Sequence, residues 1–84
     1  MESAMEYFQY NLRILRSKSG MTQKEVANKA GIAINLISRY ENGYAIPRLN
    51  TLEYIAKVFG VKIGDLVDGY MRIDDYETIR KWLL

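Results

Sequence analysis

Glycines at positions 20, 31, 43, 60 and 69 cut this chain into short stretches, and within each stretch the apolar residues recur at helical spacing. No segment alternates with the period of two that a half-buried strand needs. Phe8, Leu12 and Leu15 stand at i, i+4 and i+7, one apolar face of a first helix that ends near Gly20. Thr22-Gln23-Lys24-Glu25 then forms a T-x-x-E capping box, with Met21 and Val26 at the two positions of a hydrophobic staple. A second helix therefore starts at Gln23, and Gly31 breaks it after about two turns. A third runs from about Ile34 to Glu41, with Ile37 and Tyr40 on its inner face and Asn42-Gly43 as a left-handed cap.

Tyr44 to Pro47 reads as a loop. Leu49, Leu52, Ile55, Ala56 and Phe59 form the stripe of a fourth helix that ends at Gly60; Asn50-x-x-Glu53 offers it a cap, and a start one or two residues earlier is equally open. A short fifth helix fits Ile63 to Val67. Asp74-Asp75-Tyr76-Glu77 looks like the acidic first turn of a sixth, with Arg80 and Lys81 in its last turn as the helix dipole prefers. The reading is all-α.

With 84 residues, the chain has room for one domain. It has no cysteine and no histidine, so disulfides, the usual zinc ligand sets and every imidazole-dependent catalytic pairing are excluded. No base stands beside a nucleophile and no glycine-rich phosphate loop occurs, so the expectation is a non-enzyme without cofactor or metal. The first residues, Met-Glu-Ser-Ala-Met-Glu, carry acids where a signal peptide carries bases, and no apolar run approaches a membrane span. The expectation is a soluble cytoplasmic protein. Asp74-Asp75 could be taken for metal ligands, but acids belong in a first helical turn in any case.

Charge is unevenly placed. Residues 13–62 hold nine bases against three acids, whereas residues 1–12 and 63–84 each carry a net charge of −2. A basic body between acidic ends suits a polyanion-binding surface, and it also fits ordinary surface charge clustered in sequence.

Two short helices joined at Gly31, covering residues 23–42, have the pattern of a helix-turn-helix, with Ala27 small enough for the helices to cross. Leu12-Arg13-Ile14-Leu15-Arg16, then Gly20-Met21-Thr22-Gln23-Lys24-Glu25-Val26-Ala27, resembles the opening of the lambda-repressor/Cro-like (XRE) family. Gly31-Ile32, Leu36-Ile37-Ser38-Arg39-Tyr40-Glu41-Asn42-Gly43, Pro47, Thr51-Leu52, Ile55-Ala56 and Gly60-Val61 continue the match in order. The resemblance covers about residues 8–68. It implies a compact five-helix lambda-repressor-like DNA-binding domain over residues 1–68, to which the tail 69–84 adds a C-terminal helix.

The same resemblance implies that the third helix, about residues 34–42, lies in the major groove of double-stranded DNA while the second crosses the backbone. Ala33, Ile34, Asn35, Ser38 and Arg39 then take base-facing positions. Asn35 suits adenine and Arg39 guanine. Thr22 and Gln23 at the start of the second helix, and Asn42, Tyr44 and Arg48 after the third, take phosphate positions. Asn35 and Arg39 also read as solvated helix residues, Thr22 as a cap alone, and Tyr44 as a half-buried loop anchor. Arg16 and Glu41 correspond to a partly buried ion pair in family members. Ala33 departs from the usual Ser or Thr cap, Ile34 from a polar reader, and Tyr44 from a frequent Lys or Arg.

One such motif reads few base pairs, and family members usually pair to span half-sites about 34 Å apart. On a helix from Asp75, the residues Tyr76, Ile79, Trp82 and Leu83 share one side and need a partner. They either pack back near Phe8 or Tyr10 or join a homodimer, and the dimer is the expectation. The function expected is a dimeric sequence-specific repressor or controller on an inverted repeat, with no membrane or small-molecule ligand. The alternative is an antitoxin or adaptor whose tail binds another protein.

Overall fold

Ser3 sets the start of the first helix by accepting a hydrogen bond from the Glu6 amide through its hydroxyl. A computed structural model describes residues 3–72. Five helices follow in chain order: α1 (Ala4–Lys18), α2 (Gln23–Ala30), α3 (Ile34–Glu41), α4 (Leu49–Phe59) and α5 (Ile63–Val67). The sixth helix expected from Asp75 onward lies outside the described residues.

The predicted capping box is present in full. The Glu25 amide donates to Thr22 Oγ1 and the Thr22 amide donates to Glu25 Oε1, both at 3.1 Å. Gly31 ends α2 in the left-handed conformation (φ +73°), and the Ile32 amide bonds back to the Ala27 carbonyl at 3.0 Å. That backbone reversal turns the chain into α3, and a side chain at 31 would be strained whatever room surrounds it. Ala33 precedes α3 with no side-chain cap, as its methyl dictates.

Residues from every helix meet in one core. Phe8, Leu12 and Leu15 of α1 pack with Val26 and Ala27 of α2, Ile37 and Tyr40 of α3, Ile55 and Phe59 of α4, and Leu66 of α5. Each large apolar side chain buried this way contributes about 1.5–3 kcal/mol. Phe8 and Tyr40 add an edge-on ring contact at 5.7 Å, joining α1 to α3.

Two details of the α4 reading change. Asn50 is not its cap: the helix takes the earlier start, at Leu49, two residues before a cap at Asn50 would begin it, with Arg48 in the cap position and no side-chain bond. The Asn50 Oδ1 accepts from the Thr51 amide instead. Leu49 also leaves the buried stripe, being 66% exposed, since the first turn of α4 overhangs the core.

Packing continues past the boundary expected after residue 68. Met71 is buried, and Tyr70 makes edge contacts with Tyr7 at 4.8 Å and Tyr10 at 5.0 Å. Beneath them Asn11, wholly buried on α1, donates through Nδ2 to the carbonyls of Leu66 (2.9 Å), Gly69 (2.7 Å) and Asp65 (3.3 Å). Its Oδ1 accepts from the Met71 amide at 2.7 Å. One side chain thus caps the end of α5 and fastens the segment that follows it to α1. Among the described residues, no helix is long and apolar enough to cross a membrane.

Candidate nucleic-acid interface

α3 is amphipathic in a way that separates structure from surface. Ile37, Tyr40 and Glu41 are buried, while Ile34, Asn35 and Arg39 are exposed and Ser38 is half-buried. Positions 34 and 38, and 35 and 39, are i, i+4 pairs, so these four side chains form one outward edge, with exposed Ala33 at its head. The first turn of α3 holds no acid, which leaves that edge open to a polyanion.

The end of α3 is held from two sides. Arg16 of α1 grips Glu41 with both Nε to Oε2 and Nη2 to Oε1, the latter at 2.9 Å. The Gln23 amide of α2 donates to the same Oε1 at 3.2 Å, and Arg16 Nη1 reaches the Met21 carbonyl at 3.2 Å. Glu41 is thus a buried carboxylate that three hydrogen bonds satisfy, and it ties α1, α2 and α3 together. The bond to Glu41 holds the Arg16 guanidinium above its ordinary pKa, against the opposing effect of burial. A raised cationic pKa adds stability that is present below the unfolded value and lost only as pH climbs through the folded one. The tie therefore persists through the neutral range.

Several residues expected at phosphates have a second task. Thr22 caps α2 and is exposed. Gln23 spends one amide N–H on Glu41 and keeps another, a double role that the sequence did not announce. Asn42 Nδ2 donates to the Ser38 carbonyl at 2.8 Å and so closes the end of α3. Arg39, expected at a base, reaches the Tyr44 carbonyl through Nη2 at 3.3 Å, a bond that draws the guanidinium toward the α3–α4 loop. Tyr44 is 75% exposed, so the half-buried anchor reading of that residue is set aside. Arg48 is exposed at the start of α4. Tyr76, Ile79, Trp82 and Leu83 lie outside the described residues.

Asn11 is the residue that sequence reasoning passed over. Its signal was available: an amide at the i+3 position of the Phe8, Leu12, Leu15 face, where an apolar side chain would stand. It binds the end of α5 and the segment after it, and serves the frame rather than the surface.

Two short helices about a left-handed glycine, the second with a buried inner face and an open polar outer edge, define a helix-turn-helix domain. The Helix-turn-helix family model matches residues 12–66, and the chain belongs to that family, of the XRE type. It is 41% identical over 69 residues to the cryptic phage CTXphi transcriptional repressor RstR of Vibrio cholerae, covering 81% of this chain and 62% of that protein. It is 35% identical over 74 residues to the antitoxin PezA of Streptococcus pneumoniae serotype 4, covering 84% of this chain and 47% of that one. The chain thus spans about half to three-fifths of the length of these relatives. A transcriptional regulator from Listeria innocua shares the fold, with a TM-score of 0.67 at 22% identity over 90% of this chain and 71% of that one.

Proposed function

We propose that this chain is a sequence-specific regulator of transcription that binds double-stranded DNA with α3 in the major groove. The observation that carries this reading is the outward edge of α3, offered by a helix whose other side is locked into the core through Glu41. Asn35 hydrogen-bonds adenine and Arg39 grips guanine, each pair discriminating by about 1–3 kcal/mol. Ala33, Ile34 and Ser38 complete the contact, Ile34 against a thymine methyl. Thr22, Gln23, Asn42, Tyr44 and Arg48 hold phosphates on either side, within the basic stretch of residues 13–62. Similarity to a phage repressor supports repression as the outcome. A homodimer joined through Tyr76, Ile79, Trp82 and Leu83, acting in the cytoplasm at the nucleoid, reads an inverted repeat.

Selection from a random duplex library at two salt concentrations tests this. The expected product is an inverted repeat with half-sites about one helical turn apart, bound less tightly as salt rises. Sequence-blind enrichment would overturn base reading by Asn35 and Arg39. Similarity to an antitoxin supports a second reading, in which the tail binds another protein. A partner that co-purifies with the full chain but not with residues 1–72 would favour it. The cut belongs after Arg72, because removal from Gly69 would also strip the groups that Asn11 holds.

A further inference from the structure

α3 ends in a turn that its own backbone bonds fix. Asn42 takes the cap position and Gly43 follows in the left-handed conformation (φ +76°). The Gly43 amide donates to the Tyr40 carbonyl at 3.3 Å and the Tyr44 amide to the Arg39 carbonyl at 2.8 Å, the paired bonds of a Schellman motif. The Asn42 side chain adds its bond to the Ser38 carbonyl at 2.8 Å. Gln9 of α1 backs the turn, so close that a Cβ at position 43 would lie 2.9 Å from its Oε1. Tyr44 is placed by this backbone, since its side chain is mostly exposed.

Arg39 then grips residue 44 twice. Its main-chain carbonyl takes the Tyr44 amide, and its Nη2 donates to the Tyr44 carbonyl at 3.3 Å. Arg39 is exposed and belongs to the outward edge of α3. A guanidinium carries five N–H donors in a flat fork, so one given to a carbonyl still leaves the two that a guanine needs.

We infer that the Tyr44 carbonyl positions Arg39 for base reading, so that the left-handed turn at Gly43 is a determinant of sequence specificity. The inference rests on the proposed reading of guanine by Arg39 and names the group that orients it. An exposed arginine samples many rotamers, whereas pairing with guanine O6 and N7 requires its plane to meet the base edge in one orientation. A fixed acceptor that holds one Nη2 proton removes part of that freedom before DNA arrives. A loose guanidinium would still be drawn to any phosphate, so its looseness is felt in discrimination more than in affinity. Because the tie is made by main chain, the departure at Tyr44 from a frequent Lys or Arg leaves it intact.

The test replaces the peptide bond between Tyr44 and Ala45 by an ester, with lactic acid in place of Ala45 in a chemically synthesised full chain. An ester carbonyl is a weaker acceptor than an amide, and every side chain is kept. The Ala45 amide that is lost donates no hydrogen bond among the described residues. Binding is read by fluorescence anisotropy at one salt concentration, on the operator recovered by random selection and on its single base-pair substitutions. Arg39→Ala identifies the guanine, as the position where the parent's preference disappears. There the ester chain is expected to lose about threefold or more of the preference for guanine over each other base, with its affinity for non-operator DNA unchanged. Tyr44→Ala keeps the carbonyl and is expected to weaken all duplexes alike, leaving that preference as it was. Gly43→Ala, strained at its positive φ and pressed against Gln9, should repeat the loss by displacing the carbonyl, and serves as the second variant should the ester chain fail to fold by circular dichroism. A guanine preference unchanged or raised in the folded ester or Gly43→Ala chain would overturn the inference and leave Arg39 a reader. An equal loss in Tyr44→Ala would overturn it in favour of the tyrosine side chain. Arg39→Ala with every base preference intact would overturn the reading of guanine as well.

Discussion

Replacing Asn11 by alanine removes one side chain and leaves four backbone groups to find other partners. The Asp65 and Gly69 carbonyls are only partly buried and can turn to water. The Leu66 carbonyl and the Met71 amide are buried with their bonds, and each stranded group costs about 1–3 kcal/mol. The segment 69–71 can escape that cost by peeling away from α1. Doing so exposes Met71, worth about 1.5–3 kcal/mol, and parts Tyr70 from Tyr7 and Tyr10, at about 0.5–1.5 kcal/mol per ring contact. Both routes converge on a loss of about 3 kcal/mol. In urea unfolding followed by helical circular dichroism, a slope of about 1–2 kcal/mol per molar lowers the midpoint by about 1.5–3 M. Asn11→Asp sharpens the test. Its carboxylate would face three carbonyl oxygens at a buried position, which raises its folded pKa above the unfolded value of about 3.9. The folded state then binds the proton more tightly, so this variant is least stable at neutral pH and gains on the parent as pH falls. A loss under about 0.5 kcal/mol for alanine, or a pH-flat difference for aspartate, would refute the clamp.

Glu41→Ala should cost about 3 kcal/mol in the same assay. That is the low end for a broken buried pair, because the Arg16 side chain is 23% exposed and can be rehydrated in part; a loss near zero would mark the pair as a solvated contact. Ala33→Ser supplies the missing cap of α3 and should raise stability by about 1 kcal/mol, read as a higher melting temperature. Gly31→Ala meets no atom within 4 Å, so its expected cost of about 1–2 kcal/mol comes from the left-handed backbone alone, and an unchanged melting temperature would contradict that origin.

The outer edge of the candidate site was legible because α3 is a periodic helix: once Ile37 and Tyr40 are placed inward, positions 34, 35, 38 and 39 must face out. The hydrogen bonds of Gln23 and Arg39 were not legible. Gln23 meets Glu41 across 18 residues, and Arg39 bends to a loop carbonyl whose position depends on the left-handed turn at Gly43. The start of α4 was legible only to within two residues, because the local cap offered by Asn50 is not used and Arg48 takes the cap position without a side-chain bond.

By itself, the sequence determined what is local. Capping chemistry, glycine terminators and the 3.6-residue period act over a turn or two, so the five helices, their order and their inward faces follow from neighbours in the chain. Tertiary structure decided what depends on distant partners. It decided that a buried Asn11 binds groups 54 to 60 residues away, and that Tyr70 packs against Tyr10 of α1. A hydrogen bond between distant residues forms only after packing has brought donor and acceptor together and excluded water, and no local pattern encodes that meeting.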